Sequence, residues 1–236
     1  MDENTKNQSI SNDLAITIAK SGGIEFPAEL LEFTIDQVID EGIWKDLPFV
    51  GWIAKGVSIS RSISDRIFHH KVLRFLIELE NINNGNRDYF RENIESDPEF
   101  RRKVGEHLIV ILNKIDAFDK TSLLAKCFDH YLTKHINYEY FVDLSYIIER
   151  SLLGDLKSLC VPSNEVVKFS SDGIAVACGL MEFGIADHDF NEAQVELGTR
   201  MSKFGRDLRD IFLGRLRGRV DRERRQREAL FGKDDE

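Results

Sequence analysis

Apolar residues along the chain recur mostly three or four positions apart, the spacing of one helical face. The longest apolar-rich stretch runs from Leu47 to Leu79 and holds Trp52, with Trp44 just before it. Within it Ile59, Ile63 and Ile67 recur every four residues, which predicts a helical face turned to the core. Val72, Phe75, Leu76 and Leu79 continue the stripe but rotated, and Lys71 and Arg74 fall where the first stripe would have run. The pattern therefore predicts a bend near His69 and His70. Pro48 and Gly51 oppose a straight helix through 47–56, because proline lacks the N–H and glycine adds backbone freedom.

The other segments follow the same logic. Residues 1–12 are polar and aperiodic and predict a disordered tail, with a short element over Leu14–Lys20. Pro27 suits a first helical turn, Leu30, Leu31, Ile35, Val38 and Ile39 share a face, and Gly42 can end the helix. Asn81–Asn86 is a turn, and Asn86 is placed to cap a short helix through Ile94. Asp97-Pro98 sets an N-cap carboxylate before a first-turn proline, and Phe100, Val104, Leu108, Ile111 and Ile115 line the helix that follows. Asp119–Thr121 separates it from a helix bearing Leu124, Cys127, Phe128, Tyr131 and Leu132. Asn137 opens another, with Phe141, Leu144, Ile148 and Leu152 inward. Beyond Ser151 the elements shorten: helical turns at Leu156–Cys160 and Asp172–Leu180, strands at Met181–Ala186 and Gln194–Met201, and a helix capped by Ser202.

Composition narrows the class. A net charge of −9 and a pI near 5.3 give no global attraction to nucleic acid. Arginine is nevertheless concentrated near the C-terminus, at Arg215, Arg217, Arg219, Arg222, Arg224, Arg225 and Arg227, against Asp221 and Glu223. The bland reading of that run is a solvated face. Three widely spaced cysteines make no disulfide framework. The acidic N-terminus lacks the basic and apolar regions of a signal peptide. Lys55, Arg61, Asp65 and Arg66 interrupt the apolar stretch, whereas a spanning helix needs about 20 mostly apolar residues. A cytoplasmic protein is expected, with a membrane-acting segment at 47–79 as the alternative.

Residues 178–208, CGLMEFGIADHDFNEAQVELGTRMSKFGRDL, carry a resemblance. The CGL, the strand pair and Ser202, Gly205 and Leu208 resemble the pattern closing many bacterial winged-helix domains. The resemblance implies a small winged-helix-like (α+β) module over 151–213. With the helical periodicity upstream and the charge pattern downstream, the expectation is a mainly α fold with a multi-helix domain over 13–150 and a charged tail over 214–236. Winged helices often bind DNA through the helix before the wing. Here that helix holds no lysine or arginine and opens with Asp172, and acids repel phosphate.

Other chemistry is sparse. Arg102 and His107 share the spacing of the helical HEPN-type ribonucleases, to which this detail is similar; Lys103 stands where that family commonly has a polar residue such as asparagine. Cys127, His130 and His135 lack a second ligand pair for zinc, His69-His70 has no partner cluster, and Asp116 and Asp119 lack the rest of a calcium loop. No phosphate loop, dinucleotide fingerprint or nucleophile elbow is present. The expectation is a non-enzymatic helical interaction or accessory protein without cofactor, with a protein partner or a second copy of itself. The overall pattern resembles uncharacterised bacterial helical proteins, which implies a stress or phage-defence setting. Nucleic-acid binding through the arginine tail and a ribonuclease using Arg102 and His107 are the alternatives.

Overall fold

The computed structural model describes residues 3–21, 63–82, 87–161, 167–185 and 197–215. Among the described residues the protein is mainly helical, with a small two-stranded sheet near the C-terminus. Its elements are α1 (Glu3–Ser21), α2 (Ile63–Ile82), α3 (Asp88–Ser96), α4 (Pro98–Lys114), α5 (Phe118–Leu132), α6 (Tyr138–Arg150), α7 (Leu153–Leu159), α8 (Asp172–Ala177), β1 (Met181–Ile185), β2 (Leu197–Met201) and α9 (Lys203–Phe212). The helix expected from Pro27, both tryptophans, Ile59 and the loop at 187–192 lie outside the described residues. The chain divides into two units after Thr133, where Lys134 takes a left-handed φ of 58° just past the end of α5. α6 falls within the C-terminal unit of this division.

The N-terminal unit holds α1 to α5. Asp97 caps α4 as its sequence predicts, its Oδ1 accepting from the N–H groups of Glu99 (3.0 Å) and Phe100 (2.9 Å). Val104, Leu108, Ile111, Leu112 and Ile115 are buried, and Phe100 is half-buried. α2 packs along α5, where Phe75 and Phe90 both meet Phe128, at ring centroid distances of 5.7 and 5.8 Å. The start of α3 differs from expectation, since Arg87 rather than Asn86 is its N-cap and no side chain caps it. Asp119–Thr121 lies inside α5 rather than between helices.

Three corrections concern α1 and α2. Residues 3–12, expected to be disordered, are helical, and α1 lies against α4 and α3. Its buried Ile10, Leu14, Ala15, Ile18 and Ala19 form an apolar face in a polar sequence, with Ser11 and Thr17 buried beside it. The approach of α1 to α4 is close: a Cβ on Gly105 would sit 1.9 Å from the Ser11 carbonyl oxygen. Two arginines bind carbonyls in the last turn of α1, Arg87 Nη1 donating to Ile18 O (3.0 Å) and Arg91 Nε to Ala19 O (3.2 Å). Arg87 is fully buried; it also pairs with Glu80 and donates to Leu79 O (3.3 Å) at the end of α2.

α2 runs through His69 and His70 without a break. The two cations that suggested one are accommodated: Lys71 Nζ donates to Asn113 O (3.3 Å), while Arg74 Nε donates to Ser122 Oγ (3.2 Å) and its guanidinium pairs with Asp119. Long side chains can bury their stems and carry the charge to a partner. Ile63 and Ile67, expected in the core, are instead 77% and 42% exposed. No helix among the described residues is long and apolar enough to cross a membrane.

In the C-terminal unit, Asn137 Oδ1 accepts from Tyr140 N (2.8 Å) and opens α6. Phe141, Leu144 and Ile148 are buried, whereas Leu152 lies beyond the helix and is exposed. Gly154 falls inside α7. β1 and β2 pair antiparallel, from Met181 opposite Met201 to Ile185 opposite Leu197.

Candidate functional site

Sequence and structure converge on the start of α9. Ser202 Oγ accepts from Gly205 N (3.0 Å), capping the helix, and donates to Gly179 O (2.6 Å). Gly179 has a φ of +88°, a left-handed turn that suits glycine. Gly205 lies so near that turn that a Cβ there would be 2.3 Å from Leu180 O. The CGL and S-x-x-G residues are therefore two halves of one packing contact, which fixes the first turns of α9.

Those turns present Lys203, Phe204 and Asp207 to Tyr140 in the first turn of α6. Tyr140 Oη donates to Asp207 Oδ2 (2.6 Å) and accepts from Lys203 Nζ (2.8 Å), which also donates to Asp207 Oδ2 (3.0 Å). The ammonium lies 4.2 Å from the Tyr140 ring centroid, and Phe204 stacks on that ring at 5.3 Å. Burial, then the bond to Asp207, pushes the Tyr140 phenol up to about 12. Lys203 is also raised, chiefly by its bond to the Tyr140 oxygen. At neutral pH the cluster holds a neutral phenol and a cationic amine. Neither is poised to accept a proton, and they bond to one another and to one carboxylate. The arrangement is a clasp between α6 and α9 rather than an activated acid–base pair.

Arg102 and His107 point to different sides of α4. Arg102 Nη1 is bound to the Glu106 carboxylate one turn on (3.0 and 3.1 Å). His107 lies five positions along α4, about 140° round the helix from Arg102. Burial pushes its imidazole down to about 4, so it is uncharged at neutral pH. Arg215 is exposed just beyond α9; Arg217, Arg219, Arg222, Arg224 and Arg225 lie outside the described residues. Cys127 is fully buried, which raises its thiol pKa. Among the described residues no group of three or more His, Cys, Asp and Glu side chains could hold a metal ion. Asp116 pairs with Lys120, which together with Lys71 holds its carboxyl below the usual range, and Asp119 pairs with Arg74.

Tyr140, Lys203 and Asp207 were not singled out from sequence. The i, i+4 spacing of Lys203 and Asp207 after a cap is a local signal, but nothing local joins them to a tyrosine 63 positions earlier. On β1, Phe183 is 69% exposed. It shares a face with Thr199, whose hydroxyl donates to Asp172 Oδ2 (2.7 Å). No family model, curated protein or solved structure matches the chain.

Proposed function

We propose that the protein acts by binding another protein, through its C-terminal unit, and not by turning over a substrate. The observation that carries this reading is Phe183, a large aromatic left 69% exposed on a two-stranded sheet. Aromatic side chains are enriched at the centres of interfaces, where they contribute large apolar area. The self-contained clasp of Tyr140, Lys203 and Asp207 supports the non-catalytic half of the reading. The same order of elements, α7, α8, the antiparallel β1–β2 pair and α9, supports a winged-helix-like module. Its helix α8 carries no basic residue, which favours protein over DNA as its partner.

The test is site-specific photo-crosslinking in the full chain, with the reactive residue at position 183 and, as control, at the exposed Lys157. We expect discrete adducts from position 183 and none from 157. An adduct at twice the chain mass identifies a second copy, and one at another mass a different protein. No discrete adduct from 183, or the same pattern from both positions, overturns the reading.

A further inference from the structure

We draw no further inference here: the strongest candidate, the exposed Ile63–Ile67 stripe on the first turns of α2, is an apolar face with nothing in the structure to show what covers it.

Discussion

Gly105→Ala sets two opposing effects against each other in one methyl group. Inside a helix, alanine is favoured over glycine by about 0.8–1 kcal/mol. Were α4 free at this point, the variant would therefore be more stable. The added Cβ, however, would stand 1.9 Å from the carbonyl oxygen of Ser11, a backbone atom that no rotamer change can move aside. Overpacking of this kind costs about 1–3 kcal/mol. Full release of α1 would expose Ile10, Leu14 and Ile18, at about 1.5–3 kcal/mol each. That exceeds the overpacking cost, so α1 should slide and stay docked. The expected outcome is a net loss of up to about 2 kcal/mol, the overpacking cost less the propensity gain. Gly154→Ala is the internal control. It also lies within a helix, but its added Cβ would meet only the Ser170 hydroxyl at 4.0 Å, so that variant should be neutral or more stable. Urea unfolding followed by circular dichroism reads both. A Gly105→Ala midpoint above the parent would refute the close crossing of α1 and α4.

The remaining predictions concern ionisable groups. Tyr140→Phe should lower stability by about 1.5–3 kcal/mol, as expected for a lost bond to a charged group. Because the phenol is raised from 10 to about 12 on folding, its contribution is complete below pH 10 and lost as pH rises through 12. Burial raises the Tyr138 phenol as well, so phenolate absorbance should show one late tyrosine fewer in Tyr140→Phe than in the parent; an unchanged late amplitude would place the shift elsewhere. His107, lowered by burial from 6.5 to about 4, contributes stability that is complete above 6.5 and lost as pH falls through 4. Its C2 proton in NMR should titrate near 4, and a midpoint near 6.5 would contradict its burial. Single-stranded RNA should survive incubation with the protein; cleavage lost in both Arg102→Ala and His107→Ala would restore the ribonuclease reading. If the arginine tail binds nucleic acid, affinity should fall steeply with salt and disappear on deletion of 214–236. Equal binding by the truncated chain would assign the contact to another surface.

What could be read directly from sequence was local. Asp97, Asn137 and Ser202 announce their helices because a cap acts within three residues of itself. The strand pair is legible as two short segments on either side of the polar run at 187–192. Facing was harder. Ile63 and Ile67 have core spacing, yet a stripe does not say whether a partner lies opposite it. Lys71 and Arg74 suggested a bend because their acceptors, Asn113 O and Ser122 Oγ, lie more than 40 positions away. Only the Leu14–Lys20 half of α1 is legible, because Ile10 is the one apolar residue between Glu3 and Asp13. What anchors it belongs to other segments: the missing side chain of Gly105 and the guanidinium of Arg87. The clasp was invisible for the same reason, since Tyr140 becomes distinctive only when Asp207 and Lys203 are beside it.

The placement of Gly105 and Arg87 also has a temporal side. Ribosomes add about 5–20 residues per second, and chains emerge N-terminus first. α1 is made before any of the elements that hold it. The glycine notch that receives Ser11 lies 94 positions downstream and the arginine that binds the Ile18 carbonyl 69 positions downstream. For roughly 5–20 s α1 must therefore wait on the nascent chain, with Ile10, Leu14 and Ile18 uncovered. A helix this polar, whose buried face rests partly on Ser11, Ala15, Thr17 and Ala19, suits that delay better than a broadly apolar one would. Adding apolar surface outside the buried face, for instance by Ser9→Leu at an exposed position, should make newly made chains more dependent on chaperones. A pulse-labelled synthesis reaction with and without added chaperone would read that dependence in the soluble fraction.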